Sequence, residues 1–282
     1  MTTDRASGDW PLAYTVTTPE CRHLSPMGYA AALDEAAPVL AELGYDGVEA
    51  QVRNPAGLGP EALRATLEPA GLALAAVATG PVASEDGLTL ADVAEPARRD
   101  RAIGRVIDAI DLAAHFGALV TIGRIRGDPG PGEPERRLAA REALDQIDAA
   151  ALAAGVKVVL EPQSRVVGPF LPTVADAVAL IEQAAWQAIG VMPDTFHMSL
   201  EERSCVAGLL AAGPLLWHLQ LGDTNRLPLG AGGLDTGLVA DVLDALGYRG
   251  WLTMEHAQGR GSRDAARQSA QVVATMRDRV RS

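Results

Sequence analysis

In a chain of 282 residues, short apolar runs alternate with longer helical stretches, glycines close most of the helices, and polar residues close most of the later runs. Together these observations predict an α/β fold: a single (β/α)8 TIM barrel over residues 1–282, one domain of a size common for barrels of about 250 residues. The expected strands are 12–16, 47–51, 74–79, 119–123, 158–161, 189–194, 215–220 and 251–255. Between them Ile103, Ile107, Ile110 and Ala114 recur at helical spacing. So do Leu138, Arg141, Leu144 and Ile147, with the Arg at the edge of the stripe, and then Ala265, Val272, Met276 and Val280. Thr173 with Asp176, and Ser262 with Asp264, read as helix N-termini. Gly44, Gly71, Gly117, Gly155 and Gly247 stand where a helix ends and a strand begins. The Pro/Gly run from Gly127 to Pro134 is expected to be a long loop after the fourth strand, at the C-terminal rim. An open doubly wound sheet competes with the barrel, but its usual G-x-G-x-x-G after the first strand is missing.

Apolar residues form 48% of the chain and aromatics only 4%, so the core is expected to be built from Ala, Leu and Val. The formal charge of −12 argues against a nucleic-acid partner, because binding phosphate needs a basic surface. The apolar runs, such as 72–78, fall far short of the roughly 20 residues of a membrane span. Asp4, Arg5 and Asp9 precede no apolar stretch of the kind a secretory signal needs, so a cytoplasmic protein is expected. Cys21 and Cys205 have no metal-site spacing and are expected to be buried free thiols. A homo-oligomer is compatible with the composition.

The chemistry is concentrated in four residues, Glu161, Asp194, Gln220 and Glu255, which close the last four predicted strands at intervals of 33, 26 and 35 residues. Each interval accommodates one helix and its loops, so in a parallel barrel the four side chains converge at one rim. Alternation pairs Val159 with Glu161, His218 with Gln220 and Thr253 with Glu255 on the inner face. Three carboxylates and an amide oxygen suit a hard divalent ion, Mn²⁺ or Mg²⁺, better than zinc or copper. A lone carboxylate at a strand end often only caps the next helix, whereas four in succession point to a shared site.

These segments resemble the xylose isomerase-like TIM-barrel superfamily of sugar phosphate isomerases and epimerases, in particular its hydroxypyruvate isomerase and ketose 3-epimerase branch. The resemblance runs from about the second strand to the eighth. It is densest in Leu-Glu-Pro-Gln-Ser-Arg at 160–165, Met-Pro-Asp-Thr-Phe-His-Met-Ser-Leu-Glu-Glu at 192–202, and His-Leu-Gln-Leu-Gly-Asp-Thr-Asn-Arg-Leu-Pro-Leu-Gly-Ala-Gly at 218–232. It implies that Glu161, Asp194, Gln220 and Glu255 are metal ligands and that His197 and Arg226 bind substrate. Glu49 also falls where the branch often has a Glu near the substrate. Ketose 3-epimerases usually carry His where this chain has Gln220, whereas hydroxypyruvate isomerase-like members have Gln there. The DNA-repair endonucleases of the superfamily use a His-rich zinc constellation that five His residues cannot rebuild.

The activity implied is a divalent-metal-dependent isomerase or epimerase of a small sugar or hydroxy-ketone. It works through a metal-stabilised enediolate with Glu161 and Glu255 as the acid/base pair. A metal-dependent lyase, such as an inosose or dehydroshikimate dehydratase, is the alternative on the same scaffold, and a non-catalytic binding barrel is a third reading. His218 is expected to be a hydrogen-bonded interior His, and His256 to be structural.

Overall fold

The computed structural model describes residues 8–130 and 132–282, so Asp4 and Arg5 of the N-terminal reading and Pro131 of the Pro/Gly loop lie outside it. Its elements are, in order, β1 Leu12–Thr17, β2 Tyr29–Ala32, α1 Leu33–Glu42, β3 Gly47–Gln51, α2 Pro55–Ala70, β4 Ala73–Ala78, α3 Gly80–Asp86, α4 Pro96–Ala114, β5 Leu119–Ile122 and α5 Pro134–Ala154. There follow β6 Val158–Leu160, α6 Val174–Ala184, β7 Ile189–Val191, α7 Thr195–Glu201, α8 Cys205–Ala212, β8 Leu219–Leu221, α9 Thr236–Ala245, β9 Leu252–Met254 and α10 Ser262–Arg281. The strands run parallel in the spatial order β7-β6-β5-β4-β3-β1-β9-β8, the curled sheet of a TIM barrel. Among the described residues, no helix is long and apolar enough to cross a membrane.

The β7–β8 seam carries no ladder. Two isolated parallel bridges join it, Val191 to Leu216 and Asp194 to Gln220. Trp217 N donates to Val191 O at 3.2 Å and Gln220 N to Pro193 O at 2.9 Å. Above them the Thr195 hydroxyl donates to Gly222 O at 2.6 Å and accepts from Gly222 N at 3.0 Å. The seam holds Asp194 and Gln220 side by side, so its closure is a condition of the site.

All eight expected strands are present, but the last four are shorter than their apolar runs. Glu161 and Glu255 lie one residue past their strands and Asp194 three, while Gln220 sits inside β8. Residues 215–218 are not strand: a 3-10 turn ends at Leu215, and only Leu216 makes a bridge. β2 was not expected from sequence. It pairs with β1 outside the main path, through Val16 with Tyr29 and Thr17 with Ala32.

The helical stripes are recovered in part: in α4 Ala114 is exposed and Ile107 half-buried, with Val106, Ala109 and Ala113 completing the buried face, and in α10 Val273 is buried while Val272 and Val280 are half-buried. In α5, Leu138 is 58% exposed, and the buried face is Ala139, Ala140, Ala143, Leu144, Ile147 and Ala151. Small alanines let α5 lie close against its neighbours, so its packing face carries less hydrophobic signal than its exposed Leu suggests. Thr173 and Asp176 form the expected capping box on α6. Ser262 does not cap α10; its hydroxyl accepts from Ala30 N at 2.9 Å instead, tying the last helix to β2. α2 and α5 end in left-handed glycines, Gly71 and Gly155, with φ of 68° and 66°. Cys21 and Cys205 are free and half-buried rather than fully buried.

Gly190 in β7 leaves the space that the Trp217 ring occupies across the seam, and a side chain there would enter that ring. Gly190→Val is therefore expected to lower stability by about 1–3 kcal/mol through overpacking, measured by urea unfolding. An unchanged midpoint would show that the ring moves aside freely.

Candidate active site

A cavity of about 580 Å³ opens at the C-terminal ends of the strands. Glu49, Glu161, His197, Gln220, Arg226 and Glu255 all line it. Asp194, fully buried, reaches the same group through Arg226, whose guanidinium donates to Asp194 Oδ2 and, at 2.6 Å, to Glu255 Oε2. The sequence-derived residues thus come together at one rim.

Beneath them lies a buried polar layer. Glu49 Oε1 accepts from Thr15 Oγ1 at 3.3 Å and from Gln220 Nε2 at 2.8 Å. Its Oε2 lies 3.0 Å from His218 Nε2, which is also 2.9 Å from Thr253 Oγ1. The contact with Glu49 Oε1 turns the Gln220 amide nitrogen toward the floor of the site. Gln220 Oε1 is left buried and without a partner. His218 is the interior, hydrogen-bonded histidine expected. His256 is structural as well, with Nε2 3.0 Å from Ser269 Oγ.

Each rim group has a local origin. Asp194 is the N-cap of α7: its Oδ1 accepts from Phe196 N at 2.8 Å, which directs Oδ2 at the site. Arg226 is carried by a tight loop in which its own backbone is left-handed, with φ of 61°. That conformation costs a non-glycine residue about 1–3 kcal/mol and persists only where its surroundings enforce it. Arg226 N donates to Asp223 O at 2.8 Å, and Ala257 N to Arg226 O at 2.8 Å. The buried Asp223 carboxylate gathers Thr224 N, Gly230 N and Leu234 N. Burial opposes the charge on Asp223, but these backbone donors outweigh it and hold its pKa below the usual value.

The electrostatics are those of crowded buried acids. Burial, and then the neighbouring Asp194 charge, pushes the Glu161 carboxyl up to about 7. Burial raises Glu255 well above the usual carboxylate range in spite of Arg226 beside it. Burial works against the Arg226 charge, yet Asp194 and Glu255 overcome it and hold the guanidinium above its ordinary value. Burial pulls His197 down to about 4, which leaves it neutral.

Glu161, Asp194 and His197 each place a donor atom within 4.8 Å of the other two, a group that can hold a metal. His197 Nε2 is 3.6 Å from Glu161 Oε1 and 4.0 Å from Asp194 Oδ2. Ser164 N, however, donates to His197 Nδ1 at 3.3 Å. In a neutral ring that fixes the proton on Nε2, so His197 faces the site as a donor rather than as a ligand. The oxygens fit a metal better. Glu161 Oε1 and Gln220 Oε1 are both buried without partners, and both belong to an all-oxygen donor set suited to a hard dication.

Four contributors escaped the sequence reading. Gln163 Nε2 donates to Glu161 Oε2 at 2.8 Å, and its Oε1 accepts from the buried Arg126 at 3.0 Å. Gln163 stands two residues beyond Glu161, a spacing that puts two side chains on one face and was available as a signal. Arg126, in a Gly-rich loop, and Asp223 carried none, because their partners come from distant segments. On the opposite wall the Glu85 carboxylate accepts from Arg22 N and His23 N, holding residues 23–27 along the cavity.

A parallel barrel with an acidic group at its C-terminal rim that could hold a metal, beside an open cavity, defines the class. Residues 38–276 match the family described as xylose isomerase-like TIM barrel, and the chain belongs to it. It is 32% identical to a D-psicose 3-epimerase of Ruminiclostridium cellulolyticum over 114 residues, 40% of this chain and 39% of that protein. The aligned region therefore spans well under two thirds of that relative's length. Against an L-ribulose 3-epimerase of Mesorhizobium japonicum, identity is 28% over 218 residues, 76% of this chain and 72% of the other. The fold matches the crystal structure of a D-allulose 3-epimerase from Methylomonas sp. with a TM-score of 0.80 at 20% identity, covering 95% of this chain and 98% of that one.

Asp194→Asn keeps a good helix N-cap, but the amide oxygen must now accept from Phe196 N, which turns the NH₂ toward the cage. Mn²⁺ affinity is expected to fall about tenfold or more with the fold intact, measured by calorimetry and circular dichroism. A change below about threefold would remove Asp194 from the ligand set.

Proposed function

We propose that the protein is a metal-dependent epimerase that inverts the carbon next to the carbonyl of a ketose or related hydroxy-ketone. One observation carries this reading. Glu161 and Glu255 follow β6 and β9, three strands apart around the barrel, and both line the same cavity. Inversion needs a proton taken from one face of a carbon and returned to the other, whereas a shift between adjacent carbons along one face needs a single base. Two carboxylates reaching in from separated strands suit inversion. The ketose 3-epimerase relatives support the same choice, even though Gln220 stands where that branch usually has His.

The residues take the following roles. Glu161, Asp194, Gln220 and Glu255 hold the ion, Mn²⁺ or Mg²⁺, which supplies Lewis-acid polarisation of the substrate carbonyl. Glu161 and Glu255 exchange protons with the reacting carbon, one on each face. Burial raises both carboxyls, and a dication held beside them would favour their ionised, proton-accepting form. Neutral His197 donates through Nε2 to a substrate oxygen. Arg226, stacked 4.7 Å over the Phe196 ring, offers its remaining donors to another. Glu49 forms the floor of the substrate cavity while orienting Gln220.

Incubation with Mn²⁺ and a panel of ketoses in D₂O, followed by NMR, tests the activity. The expected result is an epimer of unchanged composition with deuterium at the inverted carbon. Loss of water to a conjugated product would assign the dehydratase alternative, and inertness toward every ketose would overturn the reading. Arg226→Ala is expected to lower kcat/KM by about 30- to 1,000-fold, or about 2–4 kcal/mol, without weakening Mn²⁺ binding, since it removes a positive charge from the cage. Steady-state kinetics with a parallel metal titration measure both, and a drop below about threefold would take Arg226 out of the substrate contacts.

A further inference from the structure

The cavity wall under Glu161 contains a chain of buried polar groups that the proposed reaction does not by itself require. Arg126 is 1% exposed, and among the described residues no carboxylate is hydrogen-bonded to it. Its guanidinium donates to Gly123 O at 2.8 Å, Gln163 Oε1 at 3.0 Å and Phe170 O at 3.0 Å. A buried guanidinium bound only to neutral acceptors is costly: burial works against its charge, and the Glu161 and Asp128 charges nearby offset that only in part. What it achieves is orientation. Arginine can only donate, so the Gln163 amide must present its oxygen to Arg126 and its NH₂ to the other side. On that side Nε2 meets Glu161 Oε2 at 2.8 Å.

The consequence for Glu161 is a carboxylate whose two oxygens differ. Oε2 is tied to Gln163, while Oε1 is buried, without a hydrogen-bond partner, and faces the cage. The backbone cooperates: a Cβ at Gly123 would run into Glu161 Oε2 and come within 3.2 Å of Gln163 Nε2. The glycine just past β5 therefore leaves the space in which the Glu161–Gln163 pair sits.

We propose that Gln163, locked by Arg126, is a positioning residue that fixes the Glu161 carboxylate so that Oε1 alone serves the metal and the substrate. This deepens the epimerase reading and rests on it for the kinetic arm of its test. Without the lock, the carboxylate rotates about its last bond, and neither oxygen is held in the cage.

The test uses Gln163→Leu, Gln163→Glu and Gly123→Ala in the full chain. Mn²⁺ affinity is measured by calorimetry on the metal-stripped protein, and kcat and KM on the ketose that the wild type turns over. Each variant should bind Mn²⁺ about tenfold more weakly or worse and lose about 10- to 100-fold in kcat, with KM within about threefold. Gln163→Glu decides between positioning and packing. It nearly keeps the shape and still accepts from Arg126, but it cannot donate to Glu161, so a packing role would leave it like the wild type. Wild-type Mn²⁺ affinity and kcat in Gln163→Glu would overturn the proposal. Gly123→Ala should give the same losses with Gln163 intact, and wild-type values there would also count against it. If the wild type binds Mn²⁺ but epimerises no ketose, the epimerase reading falls, and the Mn²⁺ affinities alone decide the role of Gln163.

Discussion

Four crowded carboxylates at one end of a barrel, three of them buried and Glu255 partly exposed, are the constraint on which the rest of this structure depends. Glu49, Glu161, Asp194 and Glu255 are packed where water cannot solvate them freely, and each ionised acid there costs several kcal/mol unless it is hydrogen-bonded or paired. The surroundings answer each one differently. Glu49 is saturated by Thr15, His218 and Gln220. Asp194 divides its oxygens between a helix N-terminus and Arg226. Glu255 shares Arg226, and Glu161 has only the Gln163 amide, so part of its charge is left uncompensated. That deficit lies in the group of donors that could hold a metal, which connects the stability of the rim with the chemistry proposed for it.

Compensation by Arg226 has structural requirements far from the rim. The side chain reaches two acids at once because its backbone is held left-handed in a turn that Asp223 organises through backbone donors. Asp194 and Gln220 stay adjacent because the ladder-free seam between β7 and β8 is held by two bridges, the Thr195 hydroxyl and the gap at Gly190. Short strands contribute too. β6, β7 and β9 each end after three residues, so the chain turns early: Glu161 and Glu255 reach the cavity and Asp194 caps the next helix instead of continuing the sheet.

Much of the architecture was legible in the sequence because it follows from period and spacing. Inward alternation foresaw His218 below Gln220 and Thr253 below Glu255, and in the structure these two inner residues meet at 2.9 Å. Helix ends marked by Gly71 and Gly155, and the box at Thr173 and Asp176, depend only on neighbours within a turn. Where the reading slipped, a distant partner outweighed the local preference. Ser262 looked like a cap and instead binds Ala30 N, and Leu138 looked like core while the alanines beside it do the packing. The strand expected at 215–220 was mostly the approach to a strand, because the seam it joins is closed by bridges rather than by a ladder.

For the site, the sequence by itself determined which residues meet at the rim: strand-end positions recurring at βα-unit intervals bring Glu161, Asp194, Gln220 and Glu255 to one end of any parallel barrel. Only the tertiary structure decided how they are oriented, and therefore which atoms are free to react. The direction of the Gln220 amide is set by Glu49, 171 residues away, the neutral tautomer of His197 by Ser164 N, and the free oxygen of Glu161 by Arg126 acting through Gln163. Hydrogen bonds select an atom rather than a residue. Their partners come from segments with no sequence relation to the group they hold, so no spacing along the chain records them.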